Sequence, residues 1–136
     1  MNSAELRYKS GQRRLDATCP LLLDEMDCLL AYLRDATGQR LGQVRVWIRR
    51  FQPDHFTGTH HEDRLGRVIS AYLPLSAGRQ EDQGGLLRIY DDDDRPRPVV
   101  PEFNRLVLFE TSPCRKHAIT PVRDGTVYLL QIWGYR

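Results

Sequence analysis

Apolar residues recur along the chain first with a helical period and then with a strand period. Between residues 20 and 35, Leu22, Leu23, Met26, Leu29, Leu30 and Leu33 fall at helical spacing, while Asp24, Glu25, Asp27, Arg34 and Asp35 fill most of the opposite face. Thr37-Gly38-Gln39 supplies a helix stop. From Gly42 on, short alternating or apolar runs predict strands at 43–51, 67–75, 86–90, 98–100, 105–110, 116–120 and 126–134. Turn chemistry separates them at Pro53-Asp54, Ser76-Ala77-Gly78, Gly84-Gly85, Asp91 to Pro98, Ser112-Pro113 and Asp124-Gly125. No helical crossover follows residue 42, which argues against a parallel α/β sheet. One helix followed by many short strands predicts a mostly β fold, a sandwich or jelly roll supported by an N-terminal α-helix. Residues 1–18 are polar and predict a loosely held tail ahead of a single domain over 19–136.

Composition narrows the classes of function. A chain of 136 residues has room for one core. Its net charge of +2 gives nucleic-acid binding no support, and the run Asp91 to Asp94 would repel phosphate. No stretch reaches the ~18 apolar residues of a membrane span, and Met1 to Arg7 lacks the apolar region of a signal peptide. Cys19, Cys28 and Cys114 are odd in number and without metal-type spacing, which predicts reduced thiols in a cytoplasmic protein.

The candidate chemistry lies in two segments, Thr59-His60-His61-Glu62-Asp63 and Lys116-His117-Ala118-Ile119-Thr120-Pro121-Val122. Residues two apart on a strand end point to the same side. His61 and Asp63 can therefore reach one ion, with His117 arriving from a neighbouring strand. Two imidazoles and one carboxylate hold non-haem Fe(II) on one face and leave positions open. The same parity admits the other register, His60 with Glu62, because His60 and His61 must face opposite ways. His55 reads as a solvated loop residue.

The flanking text extends the pattern. Val46-Trp47-Ile48-Arg49-Arg50-Phe51-Gln52-Pro53 precedes the pair. Gly84-Gly85-Leu86-Leu87-Arg88-Ile89-Tyr90 and Asn104-Arg105-Leu106-Val107-Leu108-Phe109-Glu110 follow it. In this order and spacing, residues 43–134 resemble the prolyl-4-hydroxylase-like branch of the Fe(II)/2-oxoglutarate-dependent oxygenases, with the hypoxia-factor prolyl hydroxylases and their bacterial relatives the nearest in look. The resemblance implies a double-stranded β-helix with Fe(II) at its mouth, His61, Asp63 and His117 as ligands, and O2 and 2-oxoglutarate as co-substrates. The chain has little beyond the core and one helix to grip a large protein, which favours a small molecule or short peptide as the substrate. Leu87, Phe109 and Trp133 are candidates for the apolar pocket wall. Loops 64–67 and 91–97 flank the expected mouth, the latter reading as a solvated hairpin tip.

The chain departs from the family where the far carboxylate of 2-oxoglutarate binds. Relatives place an arginine there, nine or ten residues after the distal histidine and just before a tyrosine. Here those positions are Thr126 and Val127, followed by Tyr128. The family's helper tyrosines fall on Phe51 and Pro74, and a threonine falls on Gln131. A slip over the Asp63–Arg67 loop would make Tyr72 the stand-in for a helper tyrosine. Arg49 shares strand parity with Trp47 and Phe51, so it either points into the barrel as a relocated anchor or sits at the rim in a salt bridge. Arg88 and Arg123 read as surface cations. The competing readings are an iron oxidase that does without 2-oxoglutarate, a cupin-like metal enzyme, and a non-catalytic jelly roll that binds metal or a ligand.

Overall fold

The computed structural model describes residues 8–9, 11–14 and 20–136. The predicted helix forms as α1, Pro20–Thr37; the side chains of Leu22, Leu23 and Asp24 lie outside what is described, as does Cys19. Ten strands build the rest: β1 Tyr8–Lys9, β2 Gly11–Arg14, β3 Gln43–Phe51, β4 Phe56–His60, β5 Arg67–Pro74, β6 Leu87–Tyr90, β7 Pro96–Val99, β8 Val107–Glu110, β9 His117–Ile119 and β10 Val127–Tyr135. They form two antiparallel five-stranded sheets, a major sheet in the order β2-β3-β10-β5-β8 and a minor sheet in the order β1-β4-β9-β6-β7. This is the helix-supported jelly roll that the pattern predicts. β1 and β2 are strands at the sheet edges within the segment expected to be a loose tail.

Strand alternation divides two cores. Val44, Val46, Ile69, Ala71 and Ile132 face outward from the major sheet and pack under α1 through Leu33 and Leu41, with Met26, Leu29 and Leu30 against them. Burying a side chain such as Leu33 is worth about 1.5–3 kcal/mol. The opposite face meets the minor sheet, where Phe51, Tyr72, Leu87, Ile119, Val122, Val127 and Leu129 fill the space between the sheets. At the deep end of that space Gly84 has φ +73°, and a Cβ there would meet the Pro121 carbonyl oxygen at 2.1 Å. Only glycine lets the chain pass so close before β6. No helix among the described residues is long and apolar enough to cross a membrane. Cys28 and Cys114 are free and exposed.

Candidate metal centre

Three donors converge at the mouth of the barrel. His60, Glu62 and His117 each offer a ligand atom, all within 4.8 Å of one another. His60 ends β4 and His117 begins β9; the two are direct partners across the sheet, with ring centroids 4.3 Å apart. Glu62 Oε1 lies 3.4 Å from His60 Nε2 and 3.5 Å from His117 Nε2. Donors about 2.1 Å from an ion and at right angles to one another are about 3 Å apart, so a small inward movement would complete the set. His60 Nδ1 is 2.7 Å from the Gly58 carbonyl oxygen. A carbonyl only accepts, so Nδ1 carries a proton, which leaves Nε2 as the ligand atom for a cation. Both ring nitrogens of His117 are buried and without a hydrogen-bond partner. Two imidazoles and one carboxylate converging on one point form a donor set that fits Fe(II).

The register differs from the one expected. His61 and Asp63 are exposed and do not join His117, whereas His60 is half-buried and Glu62 buried. The i, i+2 reasoning holds, but an irregularity in the β4–β9 pairing between Thr57 and His60 moves the parity by one residue. Thr57 and His60, rather than Thr57 and Thr59, then point inward.

Glu62 is held from several directions. Gln131 Nε2 donates to its Oε1 at 2.8 Å, Trp133 Nε1 donates to its Oε2 at 2.9 Å, and the Ser70 hydroxyl also donates to Oε2. Burial alone would raise this carboxyl's pKa, but His117, His60 and Ser70 outweigh it and hold the group well below the usual carboxylate range. The Gln131 amide has one allowed orientation. Its Nε2 donates to Glu62 and, at 3.0 Å, to the Tyr72 hydroxyl, while its Oε1 accepts from Arg49 Nη1 at 3.1 Å. Arg49 Nη2 donates to Thr57 Oγ1 at 3.0 Å. Arg49 is 5% exposed and reaches from the major sheet to the minor one, which places it inside the barrel rather than at the rim. Burial, and then the Glu62 charge, push the Tyr72 phenol well above its ordinary range, so it stays protonated.

The remaining candidates divide. Phe109 packs its ring 5.0 Å from His117 and stacks 6.1 Å from Tyr72. Leu87 is buried in the inter-sheet core. Trp133, expected as apolar wall, also donates its indole N–H to Glu62. His55 is half-buried in the β3–β4 turn, away from the metal group, and Arg88 and Arg123 are exposed. Asp91 organises the 91–97 tip by accepting from the backbone of Asp93 and Arg95. Ser70 and Thr57 escaped the sequence reading. Ser70 had a signal, as a lone hydroxyl inside the apolar run Val68-Ile69-Ser70-Ala71-Tyr72.

Val127, at the family's arginine position, is fully buried against Phe51 and Val122. A Cβ on Gly85 would meet its Cγ2 at 3.0 Å. Beside it a cavity lined by Tyr72, Leu87, Ile119 and Leu129 keeps about 20 Å³ of free space, enough for a water and not for a five-carbon diacid. The guanidinium at this end is that of Arg79, whose Nη2 lies 3.9 Å from the same Gly85 Cβ position, and it is engaged by the backbone carbonyls of Gln83, Gly84 and Asp124.

A jelly roll with two imidazoles and one carboxylate at its mouth defines a mononuclear metal protein of the double-stranded β-helix class. The family model of the 2OG-Fe(II) oxygenase superfamily matches residues 46–135, and the chain belongs to that family. Fe(II) and 2-oxoglutarate are the family's cofactors. The chain is 35% identical over 82 residues to the prolyl 3-hydroxylase OGFOD1 of Mus musculus, a stretch covering 55% of this chain and 15% of that protein. It thus spans a small part of the curated relatives it matches. Its fold is similar to a prolyl-4-hydroxylase of Pseudomonas putida, with TM-score 0.82, 24% identity, and 98% of this chain and 76% of that one covered. It is also similar to a Trichoplax adhaerens prolyl hydroxylase solved with a peptide fragment of the hypoxia inducible factor oxygen degradation domain, with TM-score 0.80, 16% identity, and 93% and 62% covered.

Proposed function

We propose that this chain is a non-haem Fe(II)-dependent oxygenase acting on a small molecule or short peptide, with iron on His60, Glu62 and His117 and the far carboxylate of 2-oxoglutarate on Arg49. The observation that carries the reading is the convergence of three buried or half-buried donors on one point, backed by a polar network. When bound, Fe(II) and 2-oxoglutarate supply the coupling of O2 reduction to oxidation of a substrate C–H bond, with succinate and CO2 as co-products. The chain's own residues orient and enclose. Gln131, Trp133 and Ser70 fix the Glu62 carboxylate, and the Gly58 carbonyl fixes the His60 ring. Phe109 and Tyr72 cover His117 and exclude water from that side.

Arg49 suits the anchoring role because a guanidinium matches a carboxylate in a bidentate fork. One side-chain amide, that of Gln131, separates it from Glu62, a span on the scale of a five-carbon diacid. Tyr72 and Gln131 complete the polar lining. The prolyl hydroxylases among the relatives support a peptide-like substrate, and the free cysteines support a reducing, cytoplasmic setting. A second reading, an iron oxidase that draws its electrons from the substrate alone, is favoured by buried Val127 and the small apolar cavity.

Anaerobic loading with Fe(II) followed by 2-oxoglutarate separates the two. The expected result is a saturable visible metal-to-ligand charge-transfer band, weakened in Arg49→Met. Iron binding without any band would overturn the 2-oxoglutarate assignment, and no iron binding would overturn the whole reading.

A further inference from the structure

We propose that the mouth of the barrel takes its substrate by a carboxylate, with Arg45 and Arg67 as the receiving cations. The inference deepens the oxygenase reading and rests on it for the role of that ligand. Arg45 lies opposite Trp133 in the β3–β10 register, and Trp133 lies opposite Ser70 in the β10–β5 register. A shift in pairing between Gly134 and Tyr135 then sets Arg67 opposite Tyr135 and brings it onto the same face. The Arg67 guanidinium carbon sits 4.1 Å from the Trp133 ring centroid, and its Nε and Nη2 donate to the Tyr135 hydroxyl at 3.2 and 2.8 Å. Arg45 lies over the other aromatic, 5.2 Å from the Tyr135 ring centroid. The Trp133 indole meets Trp47 edge-on at 6.2 Å and donates to Glu62. Two guanidinium groups therefore rest on an aromatic platform that is hydrogen-bonded to the metal-site carboxylate.

Among the described residues no carboxylate compensates the charge of these arginines: neither lies within ion-pair distance of one, although Arg97, Arg105 and Lys116 on the surface do. Arg45 Nε and Trp47 Nε1 are buried with no hydrogen-bond partner, and both are donors. The local acid, Glu62, already accepts from Gln131, Trp133 and Ser70. Around Arg45, Trp47 and Arg67 the described residues thus leave donors and positive charge without an acceptor, which a ligand has to bring. Aromatic stacking fixes a guanidinium plane and leaves its edge free for a carboxylate. A carboxylate received there points to a ligand with an acid group, such as an amino or imino acid, a chain terminus or an acidic side chain next to the residue that is oxidised.

Trp47 and Trp133 are the chain's two tryptophans, so intrinsic fluorescence reads the mouth without iron or turnover. The whole chain, metal-free, is titrated with N-acetyl-L-proline and N-acetyl-L-leucine and with their neutral amides. At least one acid is expected to give a saturable change about tenfold or more tighter than its amide, as a lost charged hydrogen bond requires, and Arg45→Met/Arg67→Met should abolish that preference. If neither acid outbinds its amide in the wild-type chain, the inference is overturned, whether or not the double variant folds. Fe(II) binding measured in parallel keeps the two claims apart. Iron bound without acid preference removes the carboxylate site alone, whereas acid preference without iron removes the oxygenase reading and with it the ligand's role as substrate.

Discussion

At the two ends of the space between the sheets, the major sheet presents opposite chemistry. Toward the mouth, β10 offers Gln131 and Trp133 and β5 offers Ser70 and Tyr72, and every one of these except Tyr72 donates to Glu62. Toward the deep end the same faces carry Phe51 on β3, Val127 and Leu129 on β10 and Pro74 on β5. The mouth is specified by hydrogen bonds that work only with a charged carboxylate in place. The deep end is specified by packing, and the cation beside it, Arg79, is taken up by the backbone carbonyls of Gln83, Gly84 and Asp124. Under the proposed function the difference separates two tasks, holding iron at the mouth and holding the far carboxylate of 2-oxoglutarate. Arg49 lies at the boundary, one register step from the Phe51–Val127 pair, and is the buried cation closest in network terms to the metal group.

The hardest test of this contrast is Val127→Arg, which restores the residue type the relatives carry. Its guanidinium would enter a site closed by Phe51, Val122 and Gly85, and the expected cost is about 3 kcal/mol or more in urea unfolding. A stable variant that binds 2-oxoglutarate more tightly than wild type would show that the deep end is still a working pocket. At the mouth, Gln131→Leu removes one donor from Glu62 and should weaken Fe(II) binding ~10–100-fold, as read by metal titration. Arg49→Met should weaken 2-oxoglutarate binding about tenfold. An unchanged 2-oxoglutarate affinity would remove Arg49 from the anchor role.

The smallest effect concerns pH. The Glu62 carboxyl is lowered from its ordinary 4.5, so its contribution to the stability of the metal-free protein is fully present above pH 4.5 and is lost as pH falls below it toward the folded value. Below that point wild type should lose about 1.4 kcal/mol per pH unit that Glu62→Gln does not. Parallel acid limbs in the two proteins would mean that the hydrogen bonds at the mouth do not favour the charged form.

Much of the fold was legible because its long elements carry strong periods. α1, β3, β5 and β10 fall within a residue or two of their expected bounds, since each buries a continuous apolar face. β4 was not foreseen as a strand. Phe56-Thr57-Gly58-Thr59-His60 has one large apolar residue and a glycine, and it forms through its neighbours β1 and β9 rather than through its own pattern. That gap cost the metal register, because the pairing irregularity that turns His60 inward belongs to β4 and leaves no mark in residue identity. His117, expected from the distal segment, is the one member of the expected set that the structure brings into the donor group, with His60 and Glu62 in place of His61 and Asp63. Arg49 was left open between barrel and rim until Thr57, its partner on the unforeseen strand, was in view.

The register of the metal site is the point on which the rest depends, and Co(II) titration followed by visible absorption tests it directly. Glu62→Ala and Asp63→Ala are compared with wild type. The expected result is loss of the cobalt spectrum in Glu62→Ala and a wild-type spectrum in Asp63→Ala. The reverse pattern, with Asp63→Ala losing the metal and Glu62→Ala keeping it, would contradict the His60, Glu62 and His117 site.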